Sequence, residues 1–435
     1  MTNSNRLTAV LDKKALLLND PVKTLGTAIS FVIFSILMSD GVNLSLTSFN
    51  IAVFELIFVV LFLFLNQRLI SLTLLFNNAI IKALFMLWLV STGLSYVKLF
   101  LSDATSLQLS LATNRYLYTL LHIVFGLCLT SLLYRKEAIA ETLLGIIPLS
   151  LIIFMMVFAV TIWTFDYLDP FIFFNFPPLS SHMRYVGYLA TAGSIIAGYQ
   201  LIVSKYSSQK TLLFALLWLA NFAFLIWLGG RTAIGSVVLV LFIYLCYAWH
   251  KNRLFKANAA WLAFTGILAI IVAQSLTIFP WNGLGRLFDK LPFASNDSIG
   301  ISEFSSGRWE IWKFALDGTA DSIWLGLGPH GYIFIPERFF GVQPHNLFIQ
   351  LIVEWGLVGA SLFLTLLGLF LYNSIKVTVS SVNAQTKRLE CALLVFMGLT
   401  IHSLTDGTYF HSQPIVILIV CGSILAAAIL KEKRQ

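Results

Sequence analysis

Residues 139–164 read IAETLLGIIPLSLIIFMMVFAVTIWT. A single carboxylate and no basic side chain interrupt the run. As a helix it extends about 39 Å at 1.5 Å per residue, and about twenty mainly apolar residues already cross the hydrocarbon core of a bilayer. Eleven more segments have this character: 25–39, 50–66, 79–98, 116–134, 184–203, 211–229, 231–249, 257–280, 345–372, 389–405 and 413–430. Leu69 to Phe76 reads as a stretch lying along the membrane surface. Of the 435 residues, 58% are hydrophobic and 11% charged, against roughly 25% charged in a soluble domain. The chain therefore reads as all-α, a polytopic integral membrane helix bundle with twelve transmembrane helices.

Lysine and arginine orient the bundle through their excess on cytoplasmic loops. The best assignment puts residues 1–24 in a cytoplasmic tail, helices 1–9 at 25–280, one long outer loop at 281–344, helices 10–12 at 345–430, and a second cytoplasmic tail at 431–435. Most of the formal +8 charge is then topogenic rather than a nucleic-acid footprint. Nine cations remain outside: Lys98, Arg115, Arg184, Arg231, Arg286, Lys290, Arg308, Lys313 and Arg338. They run against the orientation rule, so something on the outer side is expected to engage them. The four cysteines lie in apolar segments with no paired spacing, which argues against a disulfide framework or a zinc site.

The long loop is rich in tryptophan and glycine rather than low in complexity. Residues 305–318 read as a short amphipathic helix, with Ser305 or Ser306 as its cap, an apolar stripe of Trp309, Trp312 and Leu316, and Gly318 as its end. Trp281 and this helix give the loop an aromatic surface. Trp309, Trp312 and Tyr332 offer rings to a glycan or a lipid.

Polar chemistry gathers at the outer ends of helices. Arg184 opens the sixth helix, Arg231 the eighth and His345 the tenth. Helix N-termini carry unpaired N–H groups and partial positive charge and bind phosphate-like anions. Guanidinium groups match phosphate oxygens bidentately. Arg184 and Arg231, with Arg308 above them on the loop helix, thus read as a diphosphate clamp. Gly229-Gly230 would hold Arg231 on a tight hairpin. His345 suits a general base near neutral pH. Asn346 can cap the tenth helix or bond a sugar hydroxyl. Gly356 is eleven positions after His345, roughly 1100° of rotation, so Gly356 and Gly359 share its face and can seat the helix on a neighbour. Glu354 falls on the opposite side. Glu55, Glu354 and His402 read as intramembrane groups of unassigned role. His182, His330 and His411 read as structural, and no histidine spacing points to a metal.

Three stretches carry a resemblance: GGRTAIGS, SGRWEIWKFALDGTADSIWLGLGPHGY and PHNLFIQLIVEWGLVG. They resemble the membrane glycan ligases and polymerases that include O-antigen ligase. The last fits that family's H-[NSQ]-x9-G-x-x-G pattern at His345, Asn346, Gly356 and Gly359. The resemblance covers about half the chain, from the seventh helix onward. It implies a GT-C-like bundle and a membrane glycosyltransferase that uses no metal or other cofactor. The implied donor is a glycan on undecaprenyl diphosphate, and transfer takes place on the periplasmic side of the bacterial inner membrane. The family's essential histidine maps to His345 and its diphosphate-binding arginines to Arg231 and Arg308, while Arg184 is added from the residues themselves.

Two partners remain open as acceptor. A ligase would use lipid A-core, and a polymerase a second lipid-linked glycan. The ligase is favoured because the histidine motif is best known there. A lipid-linked sugar transporter or flippase would instead concentrate ionisable groups and broken helices near the midplane. A non-catalytic assembly partner is the third alternative.

Overall fold

A computed structural model describes residues 21–38, 44–65, 78–165, 169–180, 182–204, 209–251, 256–279, 283, 285, 307–336, 343–381 and 384–433, with side chains from 49 and from 386 in the second and last segments. Leu69–Phe76, Trp281, Ser305, Ser306, Arg286, Lys290, Arg338 and the first twenty residues lie outside the described residues.

Twelve long helices occupy the twelve expected segments: α1 (Pro21–Met38), α2 (Leu44–Phe64), α3 (Ala79–Phe100), α4 (Ser106–Arg135), α5 (Ile139–Thr164), α7 (Met183–Val203), α8 (Gln209–Trp227), α9 (Arg231–His250), α10 (Lys256–Ser275), α12 (Leu347–Ser380), α13 (Ala384–His402) and α14 (Ser412–Glu432). Among the described residues two short α-helices join them, α6 (Pro170–Asn175) and α11 (Arg308–Asp317). Ten of the long helices are apolar and long enough to cross a membrane. Of the remaining two, α2 counts only over Phe49–Phe64, and α13 carries Lys387, Arg388 and Glu390 in its first turns.

Helix α7 is the axis of the bundle. It packs on α5, α8, α9 and α13, and Tyr188, Leu189, Thr191, Ser194 and Tyr199 are fully buried along it. Glycines allow this crowding: a Cβ at Gly193 would sit 2.6 Å from Asn221, and one at Gly198 would sit 2.7 Å from Leu241. Many apolar side chains on the outward faces of α3, α8 and α10 remain exposed, as in Val90, Leu94, Leu216 and Ile271. A contiguous apolar exterior of this extent is what a lipid-facing surface presents.

The loop helix departs from expectation in two ways. It starts at Arg308, its capping position is Gly307 in the left-handed region with no side-chain cap, and its buried face is Ile311 and Ala315. Trp309 is half exposed and Leu316 also lies open. Trp309 and Leu316 thus mark the outward face, because the smaller residues Ile311 and Ala315 fit against α12, while Trp312 packs at the edge of their cluster. Gly318 does end the helix.

The tenth long helix, α12, also differs. It begins at Leu347 and is interrupted at Gly356, whose φ of 66° and ψ of −178° are not helical. The loop enters this break. Leu327 N donates to Val353 O at 2.7 Å, Gly328 N to Glu354 O at 3.2 Å, Leu357 N to Ile323 O at 2.8 Å and Val358 N to Trp324 O at 3.3 Å. Backbone groups left open by the kink are therefore satisfied by residues 323–328, as burial demands. Gly326 and Gly356 make the approach feasible. A Cβ on Gly326 would lie 2.6 Å from Gly356 N, and a Cβ on Gly356 would collide with the Trp324 carbonyl. Rotation counted across an unbroken helix consequently fails: Gly356 receives the loop, and Gly359 alone faces a neighbouring helix, with Ser91 of α3 at 3.4 Å from its would-be Cβ.

Candidate functional site

The site forms where three helix starts and two turns meet. Helix α8 ends at Trp227, Gly229 takes a φ of 68°, and α9 starts at Arg231. This tight reversal fixes the Arg231 backbone as expected. Arg184 follows the start of α7, whose first turn is capped by His182: Arg184 N donates to His182 Nδ1 at 3.0 Å. Arg308 opens α11. The three guanidinium groups line one pocket, together with Gly230, Thr232, His402 and Asp406. Neither Gly230 nor Gly307 offers a side-chain cap to the helix it precedes. Among the described residues one carboxylate, Asp406, lines this pocket beside three arginines. The field there is strongly positive and suits an anion.

His345 does not open α12; it sits two residues ahead of it, in the left-handed region at φ 53°. Such a conformation is uncommon for a residue other than glycine and costs of order 1–3 kcal/mol. Surrounding contacts hold it. Trp312 Nε1 donates to Pro344 O at 2.9 Å. Asn346 caps α12 by accepting from Phe348 N and Ile349 N, and its Nδ2 donates to Leu404 O at 2.9 Å. Leu347 N donates to Ser403 O at 2.9 Å. Asn346 is thus fully engaged in the scaffold, and the N-terminus of α12 is already capped.

The imidazole lies between an acid and a base. Its Nδ1 is 3.2 Å from Asp406 Oδ1, and Arg184 Nη1 is 3.4 Å from its Nε2. An arginine can only donate, so Nε2 is the acceptor and Nδ1–H donates to Asp406. Asp406 is held in turn: Tyr188 OH donates to Oδ1 at 2.9 Å and Gly407 N at 2.8 Å. Arg308 and His402 stand 3.9 Å from Oδ2. Burial pushes the His345 pKa below its ordinary value, the Asp406 hydrogen bond and charge partly oppose this, and Arg184 and Arg308 reinforce it. Burial alone would raise the Asp406 pKa, but the His345 hydrogen bond and the charge of Arg184 outweigh it and hold the carboxyl well below its ordinary value. At neutral pH the pair is a neutral imidazole oriented by a carboxylate, an arrangement that supports proton abstraction at Nε2.

Asp406, Tyr188 and His402 are the groups that sequence reasoning did not place. Asp406 is the one carboxylate between α13 and α14, four residues after His402, and that isolated acid beside a histidine at helical spacing was the available signal. Two of the other outer cations, Lys98 and Arg115, have structural partners. Lys98 Nζ donates to Ser322 Oγ at 2.6 Å and to Gly326 O at 3.2 Å. Arg115 Nη1 donates to Phe410 O at 2.7 Å, and its Nε lies 3.8 Å from Glu354. Glu354 also accepts from His330 N at 3.2 Å and from Gln350. It ties loop to helix. Of the three aromatic residues expected to meet a glycan or lipid, Tyr332 is fully buried against α12. Trp312 is spent on Pro344, and Trp309 is half exposed. His411 Nε2 accepts from Gln343 Nε2 at 2.7 Å, and its ring packs on Tyr185. Among the described residues no group of three or more histidine, cysteine or acidic side chains is placed to hold a metal.

Residues 214–364 match the family model described as O-antigen ligase. That stretch runs from α8 through the outer half of α12, so it includes Arg231, Arg308 and His345. No curated protein matches the chain.

Proposed function

We propose, on the premise that the chain belongs to the O-antigen ligase family through residues 214–364, that it transfers a glycan from undecaprenyl diphosphate to an acceptor hydroxyl at the periplasmic face of the bacterial inner membrane. Both termini are cytoplasmic in this reading. One observation carries it: the pocket that gathers Arg184, Arg231 and Arg308 also places Arg184 at 3.4 Å from the histidine of the family motif.

The steps follow from these positions. The donor diphosphate enters among the three arginines, which neutralise charge as it develops on the leaving group. Its prenyl chain lies in the groove lined by the apolar side chains Met155, Phe158, Trp163, Phe224, Trp227 and Leu276, of which Phe224 and Trp227 neighbour Leu225 and Leu228 of the arginine pocket along α8. Arg184 turns from His345 to the incoming phosphate, which frees Nε2. That nitrogen takes the proton of the acceptor hydroxyl while the oxygen attacks the anomeric carbon. The C–O bond to diphosphate breaks, the electron pair leaves with the diphosphate, and configuration inverts in the single displacement. Asp406 stabilises the imidazolium so formed. No metal is needed in this scheme because arginines supply the positive charge.

Ligation to lipid A-core is the acceptor reaction we favour, with repeat-unit polymerisation as the second reading within the family. Purified protein with a lipid-linked glycan donor and acceptor tests the proposal. Wild type should form product, and His345→Ala should not. Equal turnover by the two would overturn the assignment of His345. Deletion of the gene separates the two reactions on a gel: long polymer accumulates on undecaprenyl diphosphate if a ligase is lost, and single repeats appear on lipid A-core if a polymerase is lost.

A further inference from the structure

Among the described titratable groups that line the arginine pocket, His402 is the one that the transfer scheme leaves idle. It ends α13 and is buried. Its tautomer follows from its partners. Thr191 Oγ1 donates its one proton to Gly187 O at 2.8 Å. The same oxygen lies 3.3 Å from His402 Nδ1 and accepts there, which puts the ring proton on Nδ1. Nε2 keeps a bare lone pair with no hydrogen-bond partner among the described residues, and Asp406 Oδ2 stands 3.9 Å from it. Two acceptors thus confront each other on the wall of an anion pocket. A proton on Nε2 would turn that confrontation into an attraction and aim an N–H donor at a bound anion.

Charge says when that proton is wanted. Among the described lining residues, three guanidinium groups and one carboxylate leave the pocket two net positive charges. A diphosphate esterified at both ends carries one negative charge per phosphate and matches them. Transfer upsets the match. Once the bond to the sugar breaks, the outer phosphate is a monoester, whose second ionisation lies near pH 6, and the diphosphate gains a third charge. Burial and neighbouring guanidinium groups disfavour a charged imidazole until such an anion joins them. The groups that face His402 are Arg184 and Tyr188 of α7, Arg231 of α9, Arg308 of α11 and Asp406 in the turn into α14. His345 connects to it through Asp406, and His411 through the Tyr188 ring. Helices α5 and α14 bring Glu141 and Lys431 to the other end of α13, beside Arg388.

We infer that His402 is a fourth cationic ligand of the diphosphate, neutral before transfer, which takes a proton from solvent at Nε2 as the leaving diphosphate gains its third charge. The N–H so formed donates to the terminal phosphate, and Asp406 steadies the charged ring from the side. Release of the diphosphate returns the proton to solvent. This rests on the glycan-transfer reading above and adds a residue to its leaving-group site. The proton on His402 is distinct from the one that His345 removes from the acceptor hydroxyl, so the two histidines serve opposite ends of the displacement while sharing one carboxylate.

Calorimetry on the full-length protein in nanodiscs tests this without turnover. Two probes differ by one charge: farnesyl diphosphate, whose terminal phosphate is a monoester, and its terminal methyl ester. Titration at pH 8 in buffers of different ionisation enthalpy counts the protons taken up. Farnesyl diphosphate should take up about one, and its affinity should fall about tenfold per pH unit from pH 7 to pH 9, as one linked proton requires. The methyl ester should take up none. His402→Asn, whose amide can still donate to Thr191, should abolish the uptake and weaken farnesyl diphosphate about tenfold or more, the worth of a charge-assisted hydrogen bond. The methyl ester should bind that variant as it binds wild type. His345→Ala should retain the uptake. Binding of farnesyl diphosphate to wild type without uptake, uptake that survives His402→Asn, or uptake that vanishes in His345→Ala would each overturn the role of His402 and leave the arginine clamp standing. Failure of both probes to bind wild type would refute the clamp, and this inference with it.

Discussion

Replacing Asp406 by asparagine preserves shape and removes one charge. The carboxylate sits 3.2 Å from His345 Nδ1. When His345 takes the acceptor proton, an imidazolium forms against that carboxylate, and at an effective dielectric constant near 20 the attraction is about 5 kcal/mol. Arg184 and Arg308 already draw on the same carboxylate, and an asparagine oxygen can still accept from Tyr188 and Gly407. A net loss of about 3–4 kcal/mol remains, or two to three orders of magnitude in kcat. The pH profile adds a signed test. Asp406 raises the His345 pKa against the effect of burial, so its removal lowers that pKa further. The acid limb of kcat/KM should therefore lie below the ordinary histidine value in wild type and move to still lower pH in Asp406→Asn. Glycan transfer with a synthetic diphosphate-linked donor, followed from pH 4 to pH 9, measures both effects. A rate within about three-fold of wild type, or an acid limb that moves upward, would refute the dyad. The double variant with His345→Ala should be no slower than His345→Ala alone, since the two residues act as a unit.

Arg184→Ala should weaken donor use and also shift the acid limb upward, because Arg184 lowers the His345 pKa; the pH profile separates this from a pure binding defect. Arg231→Ala and Arg308→Ala should each raise the donor KM at least tenfold, as lost charge-assisted hydrogen bonds of about 1.5–3 kcal/mol require, and unchanged donor binding in both would sink the clamp. Gly356→Ala places a side chain in a conformation reserved for glycine and against the Trp324 carbonyl; strain of about 1–3 kcal/mol, with steric overlap in addition, should lower the thermal midpoint in detergent. Acid should destabilise the fold around the site. The Asp406 pKa is depressed in the folded protein, so its contribution is complete above the unfolded value near 3.9 and is lost as pH falls through the folded one. The His345 pKa is also depressed, so its contribution declines as pH drops below about 6.5, the unfolded value. A thermal midpoint that rises on acidification from pH 7 to pH 5 would contradict this.

The helices were legible because hydrophobic length is a local signal, and Arg184, Arg231 and His345 because helix starts are local too. Arg308 was placed near them only by its position at the start of the helix within the long loop. Asp406 was not legible: it reaches His345 through the packing of α13 and α14, and no spacing in the sequence connects residues 345 and 406. Glu354 was set aside by rotation arithmetic that assumed a continuous helix. Nothing in the segment around Gly356 announced the break, since a Gly-x-x-Gly pair reads equally as helix packing. Trp309 and Leu316 misled for a different reason: on a helix at a membrane interface, large apolar residues serve the outside as well as the core.

The splice at Gly356 has a consequence for recognising distant relatives. Gly326 and Gly356 approach each other so closely that neither admits a side chain, although they are thirty residues apart in the chain. The outer turns of α12 are thereby clamped to the loop as well as to the bundle, and His345 is held from both sides. The two glycines form a paired signature: a substitution at one should be tolerated only where the other partner's strand of backbone has also moved away. Chains that keep the histidine but lose either glycine would have to position it by some other means. A glycine in the loop, matched to the first glycine of the histidine motif, is thus a sharper marker of this architecture than the motif taken by itself.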